Sequence, residues 1–222
     1  MAKNVRQLLV RPSPPSFLCG FDDLTTDGTF MPAPELVDWI KAAFLDEEGP
    51  LHYPGHVHLN DARICALWTN AENAKQGRKI VGQAEMPKRS RSGGKWQQSR
   101  SAQQLREWFG IDAPDFLLTF DALYCSSIDD NGFAALVDHE LCHCAQETDA
   151  FGAPKFNQDT GRPMFTIRGH DVQEFVSVVE RFGIEAAGEA AVDMVIAAAK
   201  KPSIAPVRIS QSCGTCAIRR AA

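Results

Sequence analysis

Asp138-His139-Glu140-Leu141-Cys142-His143-Cys144 puts two imidazoles, two carboxylates and two thiols into seven residues. On an α-helix, residues four apart share a face. His139 and His143 can therefore turn ring nitrogens toward one ion, with Glu140 beside them. That is the donor set of a hydrolytic zinc centre. Neutral imidazoles hold Zn2+, the ion brings the pKa of a bound water toward neutrality, and a carboxylate takes the water's proton as it attacks a carbonyl. The competing possibility is an ordinary helix whose histidines have no joint role. The two cysteines point about 100° away from the mean direction of the imidazoles. They read as small buried residues, not as ligands of the same ion.

A catalytic zinc keeps three protein ligands and one open position. A short arrangement, with a turn glycine three residues after His143 and a ligand three further on, meets Gln146 and Asp149 instead. The better candidates are His170 and Glu174, four apart at the start of the next predicted helix, flanking its apolar stripe. Either residue type is an accepted zinc ligand. If His170 binds, Glu174 can orient a ligand imidazole from behind. Asp171 suits a helix start electrostatically.

The surrounding pattern predicts what must hold these groups. Residues 34–48 have apolar positions at helical spacing. Residues 56–70 and 78–87 are rich in β-branched and aromatic side chains and read as a β-hairpin. A mobile loop is expected over 87–101 and a short helix over 101–110, stopping at Gly110. Residues 115–127 read as a buried strand, and 129–148 as the helix carrying the histidines. Helices over 170–183, on the stripe Phe175, Val178, Val179 and Phe182, and over 185–201 complete the series. Helices and strands in this order argue for α+β, not a doubly wound sheet. Residues 1–33 are an irregular lead-in, 34–201 the domain, and 202–222 a flexible tail.

The run "LVDHELCHC" followed by "GHDVQEF" resembles the phage metallopeptidase family and, more distantly, the SprT-like zinc proteases. The resemblance covers chiefly residues 115–182, more weakly the strands from 56. It implies a minimal zincin-like fold, a small mixed or antiparallel sheet packed on the His-Glu-x-x-His helix and a following helix. It also implies zinc held by His139, His143 and His170, with Glu140 as general base. The chain departs from the SprT pattern at Asp171, where glycine is usual, and in the spacing to Phe175.

The 222 residues, 44% hydrophobic with a net charge of −5, suffice for one cored domain and exclude a wholly basic nucleic-acid binder. A local patch is still present. Residues 87–101 hold Lys88, Arg89, Arg91, Lys95 and Arg100 around Trp96 with no acidic residue, a combination that suits single-stranded nucleic acid. No apolar run reaches the roughly 18 residues of a membrane span. The N-terminal apolar stretch is too short for a signal peptide. A cytoplasmic protein is expected, in the host's cytoplasm if phage-encoded. Seven cysteines, an odd number, fit reduced thiols or metal ligands. Cys213 and Cys216 form one Cys-x-x-Cys, readable as a redox pair, as half of a site completed by Cys19 or Cys65, or as plain tail. His56 and His58, with His52 nearby, are expected on one exposed strand face without a role.

Two functions follow. One is a zinc endopeptidase acting on a protein or peptide, with DNA-associated proteins as candidate substrates, the peptide added as a strand to a sheet edge offered by 56–70 and 78–87. The other is a non-catalytic, zinc-stabilised adaptor for protein or nucleic acid, favoured by a closed site.

Overall fold

The structure, a computed structural model, describes residues 9–20, 28–75, 78–87, 94–111, 113–172, 179–180, 183–207 and 212–213. Its centre is set by two short sequences, ICALWT and FLLTFD. Such near-continuous apolar runs belong to strands covered on both faces. They form β2 (Ile64–Thr69) and β5 (Phe116–Asp121), paired in parallel with Ile64 opposite Phe116 and Thr69 opposite Asp121. β1 (Phe30–Pro32) runs antiparallel to β2, and β4 (Arg78–Glu85) antiparallel to β5. β3 (Ala74–Lys75) and β8 (Ser212–Cys213) both pair with β4, giving a mixed sheet in the order β1-β2-β5-β4-β3 with β8 also on β4.

Side-chain alternation then assigns the two faces. Ile64, Ala66, Trp68, Phe116, Leu118 and Phe120 point one way; Cys65, Leu67 and Leu117 point the other. The first face is covered by α1 (Pro34–Ile40), which continues as a π-helical turn over Lys41–Leu45, and by α4 (Asp130–His143). Phe133 of α4 sits with its ring centre 6.0 Å from Trp68 and 5.4 Å from Trp39. Trp68 Nε1 donates to Glu35 Oε1 at 3.0 Å and fastens α1 to the sheet. The second face is covered by α2 (Lys95–Phe109) through Leu105. A short α3 (Ala122–Ser127) follows β5, capped by Asp121, and α5 (Glu189–Ala198) lies near the end of the described chain. A separate pair, β6 (Cys144–Gln146) and β7 (Phe165–Ile167), leaves the end of α4.

The architecture is mixed α+β with a mixed sheet, as expected. Several details differ. The expected hairpin of 56–70 with 78–87 does not form, because β5 lies between β2 and β4. The free edge foreseen for a substrate is absent at β2 and is covered along the first part of β4. β2 is interior, and the outer side of β4 is taken by β3 at Arg78 and Lys79 and by β8 at Ile80 and Gly82. Residues Pro54–Asp61 are a 3-10 helix, not the start of a strand; Pro54 at its first position presets a helical φ. The basic stretch from Lys95 is helical rather than a loop, since Lys, Gln, Arg, Leu and Glu are all good helix formers. Gly110, at φ +69°, ends that helix as predicted. The motif helix stops at His143, five residues early. There β6 takes partners on β7 in place of a further helical turn. Residues 30–32, within the expected irregular lead-in, form β1. The helix foreseen over 170–183 falls mostly outside the described residues.

Candidate metal centre

The start of α4 is fixed from two sides. Asp129 caps it, its Oδ1 accepting from Gly132 N at 2.7 Å. The Arg11 guanidinium donates to the carbonyls of Cys125 and Ile128 at 2.9 and 2.7 Å, pairs with Asp130 at 2.8 Å and lies over the Phe133 ring. Phe133, Leu136, Val137 and Leu141 are then buried against the sheet. The opposite side of the helix presents Ala135, Asp138, His139 and Cys142 to a cavity of about 490 Å3, which His143, Arg168 and His170 also line.

Three imidazoles converge there. His139 Nε2 lies 3.3 Å from His143 Nε2 and 3.2 Å from His170 Nε2. The three ring centres are 4.9, 5.0 and 5.0 Å apart. A tetrahedral metal ion with nitrogens at roughly 2.0–2.1 Å separates its ligands by about 3.3 Å, so the spacing fits one shared ion. His143 Nδ1 donates to the Arg168 carbonyl at 2.7 Å. A carbonyl can only accept, so the proton is on Nδ1 and the Nε2 lone pair faces the other rings. Arg168 N returns a bond to His143 O at 2.9 Å. The β6–β7 pair thus delivers His170 to the helix although it is 27 residues from His143 in the chain. Two contacts hold this pair against the sheet: Phe165 packs 5.3 Å from Phe116, and Arg162 reaches Asp115 at 2.9 Å.

Glu140 is fully buried, on the sheet side of α4. Its carboxylate packs over Gly82 of β4, where a Cβ would come within 2.8 Å of Oε1. Glycine at this position is what makes room for the carboxylate between helix and strand.

Among families of known proteins, the one described as putative phage metallopeptidase matches residues 37–200. The chain belongs to this family. No curated protein and no solved structure gives a significant match. For a phage metallopeptidase family member, a bound metal ion and a protein or peptide substrate are the implied partners. The convergent imidazoles are a donor set that fits such an ion. No helix among the described residues is long and apolar enough to cross a membrane.

The other candidate residues distribute as follows. Glu174, Lys88, Arg89, Arg91 and Cys216 lie outside the described residues, and of Cys213 only the backbone is described. Lys95, Trp96 and Arg100 are exposed on α2, Trp96 to 92%. They sit across the sheet from the imidazoles. Asp171 lies 3.9 Å from Arg168 in an exposed pair.

The histidines of 52–58 are not exposed on a strand face. His56 is buried, with Nε2 2.8 Å from Asp138 Oδ1, and His58 Nε2 donates to the Cys144 carbonyl at 2.8 Å. Cys144 is buried packing, as expected, its Sγ donating to the Glu140 carbonyl. Cys142 is not merely packing. It faces the cavity and belongs with His56 and Asp138, ligand atoms of all three within 4.8 Å of one another. Burial, reinforced by Asp138, pushes its thiol up to about 11. The sequence signal that could have found this group is the second i, i+4 pair, Asp138 and Cys142, one residue ahead of His139 and His143.

Proposed function

We propose that this chain is a zinc-dependent endopeptidase of a zincin-like type, with His139, His143 and His170 holding Zn2+ and Glu140 serving as general base. The observation that carries the reading is the convergence of three imidazoles, with His139 Nε2 at tetrahedral-edge distance from the Nε2 of both His143 and His170 and all three ligand atoms within 4.8 Å of one another. Three imidazoles and an accessible cavity suit a catalytic zinc, which needs an open fourth position. When bound, the ion supplies Lewis acidity toward the scissile carbonyl and toward an attacking water. His143 holds its proton on Nδ1 for Arg168 O and keeps Nε2 available. Glu140 follows His139 directly on α4 but is buried over Gly82, so as general base its carboxylate would take the water's proton from the sheet side of the helix and pass it to the leaving amine. Nucleic-acid contact through Lys95, Trp96 and Arg100 forms no part of this reading.

Two variants test it. Glu140→Gln is expected to lower peptide hydrolysis by roughly 10^2- to 10^4-fold while leaving bound zinc unchanged. Retention of full biological effect by this variant would replace the peptidase with the adaptor. His170→Ala should lose tightly bound zinc at the imidazole site, measured by native mass spectrometry. An unchanged zinc content and affinity would sink the assignment of His170.

A further inference from the structure

α4 carries two i, i+4 donor pairs side by side, and each meets a third donor from another part of the chain. His139 and His143 meet His170. Asp138 and Cys142 meet His56, which the 3-10 segment Pro54–Asp61 brings in. We propose that His56, Asp138 and Cys142 form a second site for a divalent metal ion of the zinc class, separate from the three imidazoles.

One nitrogen, one carboxylate oxygen and one sulfur, all within 4.8 Å of one another, make a mixed donor set that zinc accepts. His56 Nε2 and Asp138 Oδ1 are 2.8 Å apart, a hydrogen bond that opens to about 3.3 Å around an ion. His56 is buried and so has little freedom to turn away, its ring edge-on to Tyr53 at 5.1 Å. Asp138, with 42% of its side chain exposed, and Cys142 line the cavity, which gives an ion access from solvent. Coordination replaces two protons with the metal: the Cys142 thiol proton goes to solvent, and the proton that His56 Nε2 shares with Asp138 leaves that nitrogen, the neutral imidazole then carrying its proton on Nδ1. An ion held there would clamp the Pro54–Asp61 segment to α4, one residue from His139. The proposal does not depend on the peptidase reading, because the two donor sets share no residue.

The two sites are distinguishable because only the second contains sulfur. The full chain is stripped with a chelator and reloaded with Co2+. Expected are two ions per chain and a thiolate-to-metal charge-transfer absorption. Cys142→Ser should lose that absorption and one ion. Asp138→Asn, which preserves an acceptor for His56, should weaken the second ion by about tenfold or more while circular dichroism stays unchanged. His143→Ala should lose the other ion and keep the absorption, whatever becomes of hydrolysis. One ion without charge transfer in the unaltered chain would overturn the proposal. So would charge transfer that survives Cys142→Ser, since another thiol must then hold the metal.

Discussion

The two sides of α4 do different work with residues that alternate along fourteen positions. Toward the sheet, Phe133, Leu136, Val137 and Leu141 fill a dry core with Trp68 and Phe120. Toward the cavity, Asp138, His139 and Cys142 leave polar atoms where an ion can reach them. Glu140 breaks the division, a carboxylate on the apolar side, seated over a glycine. The difference teaches that the packed side fixes the helix, while the open side, being unconstrained by packing, is where donors can be arranged. Substitutions on the first side should move stability, and substitutions on the second should move metal binding.

Phe133→Ala presses this contrast hardest. It should cost about 3–5 kcal/mol in urea unfolding, with metal content per folded chain unchanged; a fall in metal content would show that the two sides are not separable. Gly82→Ala probes the exception. Its Cβ would meet Glu140 Oε1 at 2.8 Å and Leu136 Cδ1 at 3.0 Å. A loss of about 1–3 kcal/mol is expected from overpacking, together with slower hydrolysis at full metal occupancy. Unchanged hydrolysis would mean that the seat of Glu140 is irrelevant to the chemistry.

Smallest is Glu85→Gln on β4. Burial holds the Glu85 carboxyl above its ordinary pKa. The folded state therefore prefers the protonated form: stability is full in acid, below the carboxylate range, and is lost as pH rises through the raised folded value. The variant should gain on the order of 0.5 kcal/mol near neutral pH and nothing in acid. An equal gain at both would assign the effect to something other than charge.

Local pattern made some of this legible and hid the rest. The buried strand at Phe116, the helix through His139 and the stop at Gly110 are each written in a few adjacent residues. So is the i, i+4 pairing of the two histidines. The place of β5 between β2 and β4 is not, because pairing partners are chosen by long-range packing that no window contains. His-Val-His-Leu over 56–59 alternates like a strand, yet Pro54 starts a 3-10 turn there. His56 looked idle for the same reason: its partners, Asp138 and Cys142, are more than eighty residues away. The angular argument about Cys142 turned it away from the imidazoles but could not supply its neighbours His56 and Asp138.

The short β6–β7 pair has a consequence for how such chains are recognised. Cys144 pairs with Ile167 at its base, and Gln146 with Phe165 toward the tip. Residues added in matched pairs beyond Gln146 and Phe165 lengthen the ribbon away from the cavity and leave His143 and His170 where they are. The interval between His143 and His170 is then open to change, and a pattern written with a fixed spacer would discard chains whose histidines stand in the same arrangement.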